Sequence, residues 1–503
     1  VANTSPLIRL FCPSVFFLIA SLVSCRPQVS ETELLASESS SSDAEKMWAE
    51  TEQNVFNEPF IHQIYIKLNA GAWAKLHDDE KANNCKYNDN IKLVHVRHFS
   101  FDDQKFSDVA IKVKGNTSRC IPRPQFSVSL NKTEEVYTTE NDKKWWKKEY
   151  SSADVARIKA QNLFGMTEFG LRRSFNDSSS GGKNKDSGQG LLMREPVGTW
   201  VMAQTEKLAK TTLRGAPVYR TAYAVVEFQL CANDDDNQCS TRFRRIYHVA
   251  ENINKAFFAM RYGDRKPTAF GLDKGCGLKL DSSSQHQFSE VCDDPMFLEG
   301  QKYDSSPEMK SKMSALISGP NGLVASLQGA KTVADVEKIL DLDSFLNYAA
   351  GATVIGHWDS ALGNWNNDVI YFHAPTKKWK IITWDLDNTF DYNSPGGPKR
   401  SFSYKKSGSQ RALFDTIFSI PEVETMLKNR ISKLLSDLYT SGGSGALHDR
   451  MYFVQKKYIE KMNNDFKLHP DEKQNTSLSK EIFDYKRDRY NSLKEQLKDA
   501  GNP

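Results

Sequence analysis

Apolar and polar positions alternate with period two through the front half of the chain. IHQIYIKL (61–68), VAIKVK (109–114) and FSVSL (126–130) each place apolar side chains on one face, which predicts half-buried β-strands. PVYRTAYAVVEFQL (217–230) and RRIYHVAE (244–251) predict two more, rich in β-branched and aromatic residues. Between them NDDDNQ, bracketed by Cys231 and Cys239, predicts a hairpin tip. MREPVGTWVMAQTEKLAK (193–210) breaks the alternation, because Val197, Trp200, Val201 and Leu208 recur at helical spacing. From about residue 306 the spacing is helical, as in TVADVEKILDLDSFLNYAAGATVIG and PEVETMLKNRISKLLSDLYTSG. Asp341-Leu342-Asp343 predicts an N-cap. The exception is a hairpin pattern, VIYFH, then APTKK, then WKIITW. The expected fold class is α+β, with a β-rich part over 56–305 and a helical part over 306–503 that holds the segment 354–390. One two-lobed unit is the preferred organisation and two independent domains the alternative.

The first residues read differently. Arg9 precedes an apolar run, LFCPSVFFLIASLV (10–23), the layout of a secretory signal. Leu22-Val23-Ser24-Cys25 resembles a bacterial lipobox, so residues 1–24 are expected to be a lipoprotein signal peptide and Cys25 the lipidation site. Residues 25–55, with the Ser-rich charged run ESSSSDAEK, are expected to be a disordered tether. The lipid anchor places the protein on a membrane of the bacterial cell envelope, facing periplasm or exterior. After residue 25 no uncharged apolar run approaches the ~20 residues of a membrane helix.

Composition narrows the classes. Phe 28, Tyr 18 and Trp 9 supply a core, which excludes a wholly disordered chain. A net charge of +4, from 67 basic and 63 acidic residues, gives no reason to expect nucleic acid as a partner. Setting aside Cys12 and Cys25 leaves Cys85, Cys120, Cys231, Cys239, Cys276 and Cys292, without metal-ligand spacing. An exported chain is expected to pair them, with Cys231–Cys239, Cys276–Cys292 and Cys85–Cys120 as the guess from sequence proximity. NDKKWWKKEY (141–150) reads as a solvated basic element, and SFNDSSSGGKNKDSGQG (174–190) as a loop with no phosphate-binding motif.

The richest chemistry lies in VIGHWDSALGNWNNDVIYFHAPTKKWKIITWDLDNTF (354–390). Asp359 is followed five residues later by Asn364, the spacing at which a protein-kinase catalytic loop carries its base and a metal-binding Asn. A hairpin then delivers Asp385-Leu386-Asp387, carboxylates of the kind that hold Mg²⁺ together with phosphates. Structural Ca²⁺ binding and the DxD of a metal-dependent glycosyltransferase remain open on spacing alone. Trp358 and Trp384 flank the cluster and read as packing beneath the hairpin.

HWDSALGNWNND followed by TWDLDNTF closely resembles the CotH family of spore-coat kinases and related secreted proteins. KGNTSRCIPRPQFSVSL (114–130), MRE (193–195), APVYRTAYAVV (216–226), IYHVAENINKAFFAMRYG (246–263) and GLKL (277–280) resemble further family segments in the same order. The resemblance spans roughly residues 56–500. It implies an atypical, two-lobed protein-kinase-like fold that acts on exported proteins with ATP and Mg²⁺ or Mn²⁺. By position, Asp359 would be the catalytic base. Asn364 and Asn367 would assist metal or phosphate positioning. Asp385 and Asp387 would be metal ligands, and which of the two binds directly is open.

One stretch departs from the family pattern. Where a phosphate-binding lysine is expected, the chain reads Pro122-Arg123-Pro124-Gln125-Phe126. Arg123 is the candidate cation, though Arg and Lys are not interchangeable. Lys112, Lys114 and Lys279 are candidates to compensate, with Gly115, Asn116, Thr117, Ser118 and Arg119 as a phosphate-facing turn. Glu195 or Glu251 would pair such a cation. Three functions follow: an exported kinase acting on Ser/Thr of envelope or secreted proteins; a non-catalytic surface or coat protein; and a metal-dependent glycosyl- or nucleotidyl-transferase.

Overall fold

A computed structural model describes residues 31–74, 76, 93–96, 98–114, 124–133, 150–173, 192–208, 218–232, 239–264, 268–272, 278–280, 286–288, 297–299, 302–303, 315–316, 320–362, 367–402, 416–440, 444–466, 468 and 479–499. The chain divides into a leading unit, residues 1–42, and a main unit, residues 43–503.

The architecture is α+β. Nine strands form the larger sheet among the described residues: β1 (Ile61–Asn69), β2 (Leu93–Val96), β3 (His98–Phe101), β4 (Gln104–Phe106), β5 (Val109–Lys114), β6 (Gln125–Ser129), β7 (Glu168–Arg172), β8 (Thr221–Cys231) and β9 (Cys239–Glu251). Their order is β2-β5-β6-β7-β9-β8-β1-β3-β4. The pair β1–β8 is parallel and the others antiparallel. The period-two patterns at 61–68, 109–114 and 126–130 fall on β1, β5 and β6. Strands β8 and β9 make the predicted hairpin, and a Cys231–Cys239 disulfide closes its tip.

Strand β8 is buried on both faces, which is why it reads as a nearly continuous apolar run. Ala224, Val226 and Phe228 point into a core with Phe126, Phe169 and Tyr247. Tyr223 and Val225 point the other way, into a core with Val197 and Val201 of helix α3 (Arg194–Leu208). Full burial of such a side chain is worth about 1.5–3 kcal/mol. The chain also contains α1 (Glu31–Asn54), α2 (Ser152–Lys159) and α4 (Lys255–Tyr262).

A second sheet joins the front half to the back. Strand β10 (Thr268–Leu272) pairs on one side with β13 (Phe297–Glu299), next to β14 (Lys302–Tyr303). Strands β11 (Leu278–Leu280) and β12 (His286–Phe288) pair with each other. On its other side β10 pairs with β15 (Asp368–His373), which makes a hairpin with β16 (Lys378–Thr383) in the register Asp368↔Thr383. Helix α5 (Leu323–Gly329), α6 (Val333–Ile339) and α7 (Leu342–Ile355) lead up to this hairpin, and α8 (Pro421–Leu438), α9 (Ala446–Val454) and α10 (Lys461–Asp465) follow it. Helix α11 (Ser479–Asp499) closes the chain. In α7 every residue except Asp343 is buried, as befits a helix apolar on all sides. Asp341 is its N-cap, accepting from the Ser344 amide at 3.2 Å, as the sequence predicts.

The leading segment corrects one expectation. The stretch 25–55, read as a disordered tether, carries helix α1 over Glu31–Asn54. Ala44 and Thr51 are buried, as is Val55 just beyond the helix. Trp48 lies 3.8 Å from the Arg220 guanidinium and 4.6 Å from that of Arg261. Leu, Ala and Glu around the serines favour helix, and burial of one face fixes it. Among the described residues no helix is long and apolar enough to cross a membrane. Cys12, Cys25, Cys85, Cys120, Cys276 and Cys292 lie outside the described residues, as do the segments 141–149 and 174–190.

Candidate active site

The end of α7 sets the first part of the site. Gly356 is the C-cap with φ 66°, a left-handed conformation. A Cβ there would lie 2.0 Å from the Tyr485 hydroxyl, so both backbone and packing require glycine. The chain thereby turns into the loop that carries His357 and Asp359, both buried. Burial lowers the His357 pKa to about 4, and neither ring nitrogen has a hydrogen-bond partner among the described residues.

Asp359 is gripped from two sides. The Asn367 side-chain amide donates to its Oδ2 at 3.0 Å, and the Asn388 amide donates to the same oxygen at 3.2 Å. Asn388 ends a short 3₁₀ turn, Leu386–Asn388, that follows β16 and carries Asp387; Asp385 stands immediately before it. This acidic turn is tied back by the Trp384 amide to the Asn367 carbonyl at 2.8 Å and by the Phe390 amide to the Ile355 carbonyl at 2.9 Å. The Asp359 loop and the acidic turn are therefore one assembly.

Behind Asp359, buried Asp368 accepts from the Tyr348 hydroxyl at 2.7 Å and from the Ala361 amide. Burial pushes its carboxyl well above the usual range, toward the neutral acid.

The cation comes from elsewhere in the chain. Arg172, at the end of β7, is buried; its Nε forms a 2.8 Å ion pair with Glu195 and its Nη2 reaches Asp385. Its guanidinium also lies 5.0 Å from the Trp384 ring centre. Glu195 sits in the first turn of α3, accepts from the Tyr219 hydroxyl and faces His248 Nδ1 at 3.7 Å. Burial alone would raise its pKa, but Arg172, His248 and Tyr219 outweigh it and hold the carboxyl near 2. Tyr219 in turn accepts from the Leu386 amide at 3.3 Å and packs on Trp384 with ring centres 4.6 Å apart. Burial, then the Glu195 charge, push its hydroxyl pKa well up.

Four residues in or beside the site have a strained backbone. Leu192, Asn367, Asp385 and Phe390 all have φ between 50° and 56°, in the left-handed region that non-glycine residues rarely adopt. Such conformations persist only where the surroundings over-determine them, as at functional sites.

Among the residues expected from sequence, Asp359, Asn367, Asp385 and Asp387 come together. Asn367 serves here as a donor to Asp359. Of the two candidate glutamates, Glu195 pairs the site cation, whereas Glu251 pairs Arg220 and Arg261, each at 2.7 Å. Trp384 packs beneath the hairpin, between Tyr219 and Arg172. Gly115, Asn116, Thr117, Ser118, Arg119, Arg123 and Asn364 lie outside the described residues; Lys279 falls on strand β11 (Leu278–Leu280). Sequence reading missed Arg172, Tyr219, His248 and Asn388. The available signal was Arg172-Arg173 at the end of an apolar run, beside a loop.

Among the described residues no group of three or more His, Cys, Asp or Glu side chains forms a complete metal cage. The donor set nonetheless fits Mg²⁺, which uses one or two carboxylates and takes its other ligands from phosphates and water.

The assembly joins a buried carboxylate, two further carboxylates on one turn, and a cation paired with a helix glutamate. No curated protein matches the chain. The family model described as CotH kinase protein matches residues 111–493, most of the chain, and thus spans every part of this site. The chain belongs to the CotH kinase family.

Proposed function

We propose that this protein is a phosphotransferase that moves the γ-phosphoryl group of ATP to a Ser or Thr hydroxyl of an envelope or secreted protein. The observation that carries this reading is the single buried assembly in which Arg172 joins Glu195 to Asp385 while Asn388, from the same acidic turn, holds Asp359.

Asp359 accepts the proton of the attacking hydroxyl as the new oxygen–phosphorus bond forms. The bond between the γ-phosphorus and the β,γ-bridging oxygen breaks, and ADP leaves with that electron pair. Arg172, fixed by Glu195, offers its guanidinium to the phosphate oxygens, the role a strand lysine fills in protein kinases. Asp385 and Asp387 would hold Mg²⁺ or Mn²⁺, which neutralises phosphate charge when bound. Lipidation at Cys25 would tether this activity to a bacterial membrane, facing its exported substrates.

The full chain, its Asp359→Ala variant and its Asp385→Ala variant test the proposal with ATP and each metal, read by intact mass and ADP release. Addition of one phosphoryl mass by the unaltered chain alone is the expected outcome. Absence of both nucleotide binding and transfer would favour a surface or coat protein on the same fold, a reading supported by the occupation of Asp385 by Arg172. Addition of a nucleotidyl or sugar mass would replace both readings.

A further inference from the structure

Resting on that reading, we propose that Asn388 is a positioning residue that couples the orientation of the base Asp359 to the acidic turn carrying Asp385 and Asp387.

The contacts close a ring. Asn388 Nδ2 donates to Asp359 Oδ2 at 3.2 Å. Asn367 Nδ2 donates to the same oxygen at 3.0 Å. The Asn367 carbonyl then accepts from the Trp384 amide at 2.8 Å, and the chain runs from Trp384 through the turn back to Asn388. A carboxylate oxygen offers two lone pairs, so Oδ2 can accept from both amides at once. Two fixed donors on one oxygen stop the carboxylate from rotating and define its plane. One donor belongs to the Asp359 loop and the other to the acidic turn.

The turn is itself held rigidly. Asp385 has φ 56°, the Leu386 amide is bound to Tyr219, and Phe390 is bound to Ile355 at the end of α7. The Asn388 side chain therefore sets Asp359 in a fixed orientation relative to Asp385 and Asp387. An amide suits this place for a chemical reason. It donates to the carboxylate without adding charge, whereas a carboxylate at position 388 would offer no donor and would repel Asp359.

Three forms of the full chain test this: unaltered, Asn388→Ala and Asn388→Asp. Asn388→Ala is expected to lower kcat for phosphoryl transfer about 10- to 100-fold, since a general base contributes roughly 10²–10⁴-fold and part of that depends on its orientation. KM for ATP should stay within about two-fold, because uniform binding is untouched. Asn388→Asp, nearly isosteric, should fall below Asn388→Ala. A residue that only fills space would show the opposite order, so retention of kcat in the Asp variant overturns the proposal. So does a loss confined to KM. Hydrogen exchange of the 357–362 amides reads the coupling independently of turnover. Asn388→Ala should accelerate exchange there, and unchanged protection overturns the coupling even if the unaltered chain transfers no phosphate. If the unaltered chain transfers nothing, accelerated exchange in Asn388→Ala would retain the coupling and refute the kinase reading alone.

Discussion

Glu195 and Glu251 are both buried, both face arginines and are both held near a pKa of 2, yet their clusters have different forms. Glu251 is enclosed by Arg220, which reaches it through its backbone amide at 3.1 Å, Nε at 3.2 Å and Nη2 at 2.7 Å, and by Arg261 at 2.7 Å. Trp48 of α1 covers both guanidiniums. Glu195 instead shares Arg172 with Asp385, whose side chain is 32% exposed and whose backbone is left-handed. In the first cluster two cations close on one buried anion, and Arg220 Nη1 also reaches Glu52 of α1 at 3.1 Å. In the second, one cation is divided between two carboxylates on different elements, one of them reaching solvent. The first arrangement fastens a helix to the sheet, and the second joins a buried guanidinium to a carboxylate that reaches solvent.

Acid gives the largest expected effect, because it strikes both clusters. Each glutamate has a folded pKa near 2 against an ordinary value near 4.5, so its contribution is present above about pH 4.5 and is lost as pH falls toward 2. At 1.36 kcal/mol per pH unit the loss is about 3 kcal/mol for each glutamate. Urea unfolding at successive pH values should show that fall; a flat profile between pH 5 and 3 would contradict the ion-pair account. Substitution then separates the clusters. Glu251→Gln leaves Arg220 and Arg261 without their shared anion and should cost about 3–5 kcal/mol, with activity per folded molecule retained. Glu195→Gln should cost less stability, since Arg172 keeps Asp385, and should lower phosphoryl transfer at least about ten-fold, because the cation–glutamate pair must be in place. Equal activity losses in the two variants, measured on folded protein, would break the comparison.

The elements of the fold were largely legible because their signals are local. Alternation marked β1, β5 and β6, Cys231 and Cys239 bracketed the β8–β9 turn, and Asp341 announced α7. Helix α1 was hidden because its serines dominate the local composition, while its order comes from Trp48 lying on arginines far along the chain. The carboxylates of the site were legible for the same reason as the strands, since Asp359, Asp385 and Asp387 lie within one segment. Arg172 was not. Its partners are brought to it by β7, α3 and the acidic turn, and no spacing in the sequence relates those three. A residue count cannot find a contact that only tertiary packing creates. Asn388 escaped for a narrower reason: next to Asp387 it reads as a turn residue until the direction of its amide is seen.

The smallest expected effect is the finest test of the contrast. Tyr219→Phe removes one oxygen and preserves the ring on Trp384. Glu195 loses a donor and the buried Leu386 amide loses its acceptor, which should cost about 1–2 kcal/mol in urea unfolding. Because that hydroxyl bridges α3 to the acidic turn, transfer should also fall, by several-fold, with KM for ATP rising as the Arg172–Glu195 pair and the turn lose their common restraint. The matched change in the closed cluster is Trp48→Ala, which removes a ring from two guanidiniums and should cost a similar ~1–2 kcal/mol. Activity per folded molecule should then be unaltered. Equal stability loss with unequal activity loss would show that the two clusters differ in what they connect, at equal strength. If Tyr219→Phe keeps full activity, the acidic turn is held without α3, and the division between a structural and a chemical cluster falls at Arg172 alone.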